Sequence, residues 1–314
     1  TSNALSIGGL GGITVTGLLS GGGTITKDGT GSSSILTLKG NSTAFTGSIV
    51  VAANSNILKV SPTATGNTSV LGTTAGSTTI NEGSAMQIEG SVALVAKPIT
   101  IFGTGISNDG VIRNLTGTNT ITGAVTVSSN TRINADAGTL TFSNSNSIAL
   151  GTNSLIFGGN GNSTVSGILA STPSSSTATL TKEGLGTLIL DGENTYSGVT
   201  NITSGIVQVQ KSNALGSLSG VGSSNTIVSN ETILSNLNVS ACKALAYLNC
   251  SNNSQLTGLN ISSFAVFTYL DCSQNQLTTL NLTGVLALIS LNCQSNQLTP
   301  EYQFLYKHQL QSKK

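Results

Sequence analysis

The sequence predicts an all-β fold organised as a solenoid, in which short units stack on one another instead of enclosing one large core. Three observations predict it. Short runs of alternating apolar and polar residues fill residues 1–225, glycine and asparagine separate these runs, and a unit containing Leu, Asn and Cys recurs near the C-terminus. Residues 1–225 show no helical periodicity.

The composition limits the classes of protein and partner. Of the 314 residues, 37% are hydrophobic, which excludes a wholly disordered chain, and 7% are charged, against about 25% in an ordinary soluble domain. The net charge of +1 provides no field that would attract nucleic acid or an anionic membrane. No apolar run is long enough for a membrane-spanning helix. The start at Thr1, without a basic and apolar leader, is typical of a processed export product or of a fragment.

Residues 1–225 are expected to form strands of four or five residues that end at Gly, Asn, Ser or Asp. Each predicted strand alternates Val, Ile, Leu or Phe with Thr or Ser. The clearest examples are Ile35–Leu38, Ser48–Val51, Ala124–Val127, Thr139–Phe142 and Thr187–Leu190.

A degenerate repeat lies within this region. The segment Thr24–Gly47 aligns with Leu180–Gly198, which continues to Gly216, and Arg113–Gly123 has the same glycine and asparagine positions. Each glycine is expected at a corner where the backbone bends with positive φ, and each asparagine is expected to stack its side-chain amide on the neighbouring turn.

These segments resemble the autotransporter-associated β-strand repeat, a passenger repeat of bacterial surface and secreted proteins, most closely at residues 178–217. The resemblance implies a right-handed parallel β-helix that is exported to the cell exterior, often within an adhesin or a long surface fibre. Unlike full autotransporters, the sequence contains no C-terminal translocating barrel, and the export route stays open.

The C-terminal unit contains Leu248, Leu270 and Leu291, each followed by Cys two residues later and by Asn five residues later. These are leucine-rich repeats, and they resemble short Leu-Asn-Cys repeats of bacterial secreted proteins. The expected strands begin at Tyr247, Tyr269 and Ser290, and a second leucine, Leu237, Leu259 or Leu280, serves each turn. Asparagine side chains at Asn253, Asn275 and Asn296 are expected to bond backbone groups along the bend.

The chain has four cysteines, Cys242, Cys250, Cys272 and Cys293. An even count in a secreted protein allows disulfides, but three of them share one repeat position. We therefore expect a column of buried free thiols, about 5 Å apart. Pro300 ends the repeats, and Glu301–Leu310 is predicted to form a short helical cap. The predicted organisation is a parallel β-helix at 1–225, leucine-rich repeats at 232–299 and a capping tail at 300–314.

No catalytic, cofactor-binding or metal site is predicted. Asp28 and Glu183 lie at equivalent repeat positions beside Lys27 and Lys182, as turn residues would, and Asp191 aligns with Lys39. The only histidine, His308, lies in the tail, which argues against a Ser-His-Asp site. Gly158–Thr164 partly resembles a calcium-binding glycine-rich repeat but has Asn162 where calcium needs Asp.

Aromatic residues make up 4% of the chain and Trp is absent. Aromatic side chains that could stack on sugars are few, and the four in the leucine-rich segment are expected to face the core or the neighbouring turn. The candidates are Tyr196, Tyr247, Phe264, Phe267 and Tyr269.

Three functions remain open. The first is a non-enzymatic bacterial cell-surface or extracellular structural protein: an adhesin, a stalk or a self-associating fibre subunit that contacts itself or another surface protein or glycan. The second is a recognition module that binds protein or glycan through the leucine-rich face. The third, a polysaccharide-active β-helix enzyme, would require a groove with two carboxylates within about 10 Å of each other.

Overall fold

The computed structural model describes residues 3–29, 34–53, 55–64, 66–145, 148–171, 178–211, 214–215, 225–228, 237, 239 and 245–299. These residues form short β-strands joined by turns, with one 3₁₀ turn at Ile106–Asn108. The strands in chain order are β1 (Leu5–Ile7), β2 (Ile13–Val15), β3 (Ser20–Gly21), β4 (Ile25–Lys27), β5 (Ile35–Leu38), β6 (Ala44–Phe45), β7 (Ile49–Val51), β8 (Ile57–Val60), β9 (Thr78–Ile80), β10 (Ala85–Ile88), β11 (Ala93–Leu94), β12 (Ile99–Ile101), β13 (Ile112–Asn114), β14 (Thr118–Ile121), β15 (Val125–Val127), β16 (Thr131–Ala135), β17 (Thr139–Phe142), β18 (Ile148–Gly151), β19 (Leu155–Gly158), β20 (Asn162–Val165), β21 (Leu169–Ser171), β22 (Leu180–Lys182), β23 (Thr187–Leu190), β24 (Thr200–Ile202), β25 (Ile206–Val209), β26 (Asn225–Val228), β27 (Leu245–Asn249), β28 (Tyr269–Asp271) and β29 (Ser290–Asn292).

The strands form three long sheets and one short pair, and every strand pairing in the described part of the chain is parallel. A 13-stranded main sheet has the order β2-β5-β8-β10-β13-β16-β19-β22-β24-β26-β27-β28-β29. An 8-stranded second sheet has the order β1-β4-β7-β9-β12-β15-β18-β21, and a 6-stranded third sheet has the order β11-β14-β17-β20-β23-β25. Successive strands such as β12, β13 and β14 belong to three different sheets, so a turn in the middle of the chain adds one strand to each, whereas β26 to β29 extend the main sheet alone. The predicted all-β parallel solenoid is confirmed.

The core is a set of apolar rows that run along the solenoid. In the main sheet, Leu36, Leu58, Met86, Ile112 and Ile133 lie in register on successive strands and are fully buried. Because side chains alternate across a strand, their neighbours face outward. Neighbour-to-neighbour stacking therefore replaces a single globular core, as the repeat pattern predicts.

The corners explain two requirements for glycine. Gly138 has φ of 68°, the left-handed region that favours glycine, as predicted. Gly186 does not need positive φ, but a Cβ there would lie 1.8 Å from the carbonyl oxygen of Gly161 in the preceding turn. Close packing of successive turns is the second reason for the repeated glycines.

The C-terminal segment continues the main sheet. Leu248, Leu270 and Leu291 are in register on β27, β28 and β29, and the second leucines, Leu259 and Leu280, are buried. The three strands predicted here are present. The handedness, the domain boundaries and the assignment to leucine-rich repeats stay predictions, and the predicted cap at 300–314 lies outside the described residues.

Candidate functional site

Charged side chains concentrate on the outer face of the main sheet, where they form ion pairs between turns. Lys59 pairs with Glu89 at 3.0 Å, Arg113 with Asp136 at 2.5 Å, and Arg132 with Glu183 at 2.5 Å. The second and third sheets carry far fewer charged residues than the main sheet. The strands of the third sheet contain no charged residue, and those of the second contain Lys27 alone, which is buried.

Hydroxyl groups replace charges on these other two faces. Thr79, Thr100 and Thr126 are in register on the second sheet, and none is buried. The third sheet carries two parallel columns at outward positions, with Thr118 and Thr139 in one and Thr120, Thr141 and Thr164 in the other. Two outer faces of the solenoid are therefore polar and uncharged.

Carboxylates that could support catalysis are held in structural contacts. Asp109 and Asp136 both contact Arg113, at 3.3 and 2.5 Å, so one guanidinium group is shared by two carboxylates. Asp28 accepts a hydrogen bond from Ser6 at 2.5 Å, a contact between successive turns. These contacts agree with the turn and inter-turn roles that the repeat predicts.

Three lysines point inward, which the sequence did not indicate. The Nζ of Lys97 donates to the carbonyl oxygens of Gly47 (2.8 Å), Thr73 (3.3 Å) and Ala75 (2.6 Å), and it lies 5.5 Å from the centre of the Phe45 ring. It thereby connects three turns.

Lys27 and Lys182 are buried in the same way. Lys27 Nζ donates to the carbonyl of Ile7 and to Ser34, and Lys182 Nζ donates to the carbonyls of Glu183 (2.5 Å) and Gly184 (2.8 Å). Burial lowers the pKa of Lys27 and of Lys97, and lowers the pKa of Lys182 to about 8. Their positions in the strands could have revealed them. Lys182 lies two residues after Leu180, on the same inward side of the strand, and is in register with buried Phe157.

The cysteine column is confirmed for the described thiols. Cys250 and Cys272 are buried thiols, and Cys293 is half-buried. Burial raises the pKa of the Cys250 and Cys272 thiols well above the ordinary range. These are packing groups rather than nucleophiles. Cys242 lies outside the described residues.

Asparagine side chains connect turns through the backbone. The Nδ2 of Asn275 donates to the carbonyls of Cys250 (2.9 Å) and Cys272 (2.8 Å), and Asn296 repeats this pattern one turn later with Cys272 and Cys293. In the upstream turns, Asn119 accepts from the backbone N–H of Val92. The predicted backbone bonding of the C-terminal asparagines is confirmed. The upstream Asn119 bonds the backbone of the preceding turn through its amide oxygen and donates to the side-chain amide of Asn114 within its own turn.

The aromatic residues divide into a buried group and a pair whose rings face a neighbouring turn, which are the two placements that the sequence left open. Phe264 and Phe267 are fully buried, as expected, and Tyr196 is buried with its hydroxyl 2.7 Å from that of Thr200. Tyr247 and Tyr269 do not face the core. They lie at outward strand positions beside inward Leu248 and Leu270, are half-buried, and stack with ring centroids 4.1 Å apart and planes 3° from parallel.

The part of the chain that the structure describes contains no cluster of residues that could ligate a metal. It also contains no helix with the length and hydrophobicity that a membrane span requires. Asn162, considered above for calcium, accepts a hydrogen bond from the Thr187 backbone N–H at 2.9 Å. His308 lies outside the described residues.

The repeat at Leu180–Val209 is the part of the chain that is similar to a known protein family. It matches the family model described as passenger-associated-transport-repeat at residues 180–209. The match covers strands β22 to β25 and supports the autotransporter passenger resemblance for this part of the chain. No curated protein and no solved structure matches the chain. The repeat and the β-solenoid fit an autotransporter passenger domain, which is a surface or extracellular protein.

Proposed function

We propose that the chain is a non-enzymatic structural segment of a bacterial cell-surface or secreted protein, acting as an adhesin, a stalk or a self-associating fibre subunit. The observation that carries this proposal is the parallel main sheet of 13 strands. Strands in such a sheet are about 4.8 Å apart, so 13 of them extend the chain over roughly 60 Å. Such a segment would extend away from the cell surface and would resist unfolding.

The outer surface supports lateral association. Two faces are hydroxyl-rich and uncharged in the described strands, and on the third face three cations of the described strands pair with carboxylates. Repulsion between copies is therefore small, because the net charge of +1 is spread over a long surface.

Electron microscopy and sedimentation of the purified chain over a wide concentration range test the self-associating form of this proposal. We expect end-to-end or side-by-side assemblies that grow with concentration. Strictly monomeric particles at the highest concentration would contradict the fibre role. The stalk and adhesin roles are tested separately, by labelling the surface of the cell that produces the protein.

The proposed absence of enzymatic activity has its own test. Incubation with neutral and acidic polysaccharides, followed by measurement of new reducing ends, should give no product above a blank. Release of reducing ends that Asp136→Asn abolishes would assign catalysis to the carboxylates around Arg113 and would overturn the proposal.

A second candidate function is recognition of a glycan or protein through the outer face of residues 245–299. The outward tyrosine pair favours it, because exposed aromatic rings are common at binding surfaces. Deletion of residues 232–299 should reduce attachment to cells or glycans, and unchanged attachment would count against this candidate.

A further inference from the structure

We propose that the outer face of β28 and β29 binds a neutral glycan, with one pyranose ring stacked on Tyr269 above Ser290. This inference rests on the second candidate function and names its ligand class. The site is the end of a ladder of aromatic rings formed by Tyr247 and Tyr269, which lie on neighbouring strands.

The tyrosine stack has an open end. Tyr247, Tyr269 and Ser290 are in register on three successive strands. The two rings are parallel and stack along the strand-to-strand direction, so one face of Tyr269 is covered by Tyr247 and the other is directed toward β29. Ser290 is exposed and has no ring to continue the stack. Among the residues that the structure describes, no ring occupies the next position of the ladder, which leaves it open to a flat ligand.

A sugar ring suits this position because it combines an apolar C–H face with hydroxyl groups at its edge. The electron-rich face of an aromatic ring attracts such C–H groups. Beside the open position, the side chain of Ile289 is 78% exposed, which offers apolar contact at the rim of the site.

A row of polar side chains runs parallel to the tyrosines. Asn249, Asp271 and Asn292 are in register two residues beyond Tyr247, Tyr269 and Ser290, about 6.6 Å along the strand. Asp271 is held in place by hydrogen bonds from the Ser273 hydroxyl (2.7 Å) and from the Asn292 amide (3.1 Å). A pyranose stacked on Tyr269 would present its hydroxyls to this row.

The charge of the row selects the class of sugar. Asp271 forms no ion pair with a cation in the described residues, and its carboxylate would accept strong hydrogen bonds from sugar hydroxyls while repelling the carboxylate or sulfate of an acidic sugar. Residues 245–299 contain no Lys, Arg or His, which disfavours acidic peptides as ligands of this part of the surface. A neutral hexose or N-acetylhexosamine polymer fits the surface best.

Titration of the purified full chain with neutral oligosaccharides tests this site directly. The probes are gluco-, manno-, galacto- and N-acetylglucosamine oligomers, followed by tyrosine fluorescence and by calorimetry, since the chain has 5 Tyr and no Trp. We expect at least one probe to saturate, and Tyr269→Leu to weaken its affinity by about tenfold or more because the stacking face is lost.

Two further variants separate the ligand site from stability. Ser290→Tyr fills the open position of the stack without removing a contact, so it should weaken sugar binding while leaving the melting temperature unchanged or higher. Asp271→Asn keeps an oxygen for Ser273 and should weaken binding several-fold. Thr141→Tyr, which adds an outward tyrosine on the third sheet, is the matched control and should bind as the wild type does.

The inference is overturned if no neutral probe saturates, or if Tyr269→Leu and Ser290→Tyr bind as tightly as the wild type. Saturation by acidic probes alone would also overturn it. Assembly measured by electron microscopy on the same variants keeps the outcomes distinct: unchanged assemblies with no sugar binding would contradict the glycan site and leave the structural proposal standing.

Discussion

The side-chain amide of Asn275 donates a hydrogen bond of 2.9 Å to the carbonyl oxygen of Cys250, which belongs to the preceding turn of the solenoid. The same amide also bonds Cys272 of its own turn, and its oxygen accepts from the backbone N–H of Asn253 at 3.1 Å. One buried side chain thus satisfies backbone groups of two turns at a bend where strand pairing has ended.

Replacing this asparagine should loosen the turns around it. Asn275→Ala removes one of the two side-chain donors at each of the Cys250 and Cys272 carbonyls, since Asn253 and Asn296 also donate to them. It also removes the amide oxygen that accepts from the Asn253 N–H, and we expect a loss of about 1–3 kcal/mol in the local free energy of unfolding. Because stability is local in a solenoid, hydrogen exchange of the C-terminal amides is the suitable measurement. Asn260→Ala, at an exposed position, should change exchange by well under 1 kcal/mol. Equal effects of the two changes would contradict the role assigned to Asn275.

A methyl group at Gly186 should be poorly tolerated. Its Cβ would lie 1.8 Å from the Gly161 carbonyl oxygen, so Gly186→Ala must push two turns apart at a cost of about 1–3 kcal/mol. Gly258→Ala is the matched control, since a Cβ there meets nothing within 4 Å, and its effect should stay within about 0.5 kcal/mol. Thermal unfolding followed by circular dichroism measures both. A melting temperature for Gly186→Ala equal to that of the control would show that the turns are not closely packed there.

The inward Lys182 should make stability depend on pH in an unusual direction. Burial lowers its pKa in the folded chain to about 8, below the ordinary value of 10.5. Between these two pH values the unfolded chain binds more protons than the folded chain, so this group contributes increasing stability as the pH rises. Below pH 8 the folded chain carries the full free-energy cost of burying the charged ammonium group.

The comparison with Lys182→Met isolates this contribution from other titrating groups, including the buried thiols. We expect the wild type to gain about 1–2 kcal/mol relative to Lys182→Met between pH 8 and pH 9.5, measured by urea unfolding at each pH. Lys59→Met, which removes a partly exposed lysine from the outer face, should retain the wild-type gain. A constant difference between wild type and Lys182→Met across this range would rule out the buried, titrating ammonium group.

The thiols should react in a defined order. In a Cys242→Ala background, Cys293 is half-buried while Cys250 and Cys272 are buried with raised pKa values, so one thiol should react rapidly with a thiol reagent and two slowly. Mass spectrometry of the labelled peptides identifies each site. Rapid labelling of Cys272 in the native chain would contradict the packed column, and Cys293→Ala should abolish the rapid phase.

Much of the fold follows from sequence because the solenoid is built from local repeats. The spacing of Leu248, Leu270 and Leu291 predicts three strands in register, and the asparagine five residues after each leucine predicts the backbone bonding that Asn275 makes. For Tyr247 and Tyr269, which lie beside the inward leucine row, the sequence left two orientations open, toward the core or toward the neighbouring turn. Strand alternation places them on the opposite side.

The sequence by itself determined that the chain is an all-β solenoid, because a period of 21 to 22 residues and two-residue alternation set which side chains can stack. Only the tertiary structure decided which polar groups outside the leucine repeat contact one another across turns. Lys97 reaches the carbonyls of Gly47 and Thr73, residues 50 and 24 positions away, and the tyrosine stack ends at Ser290. Such relationships depend on which turns become neighbours, and no local pattern of residues contains that information.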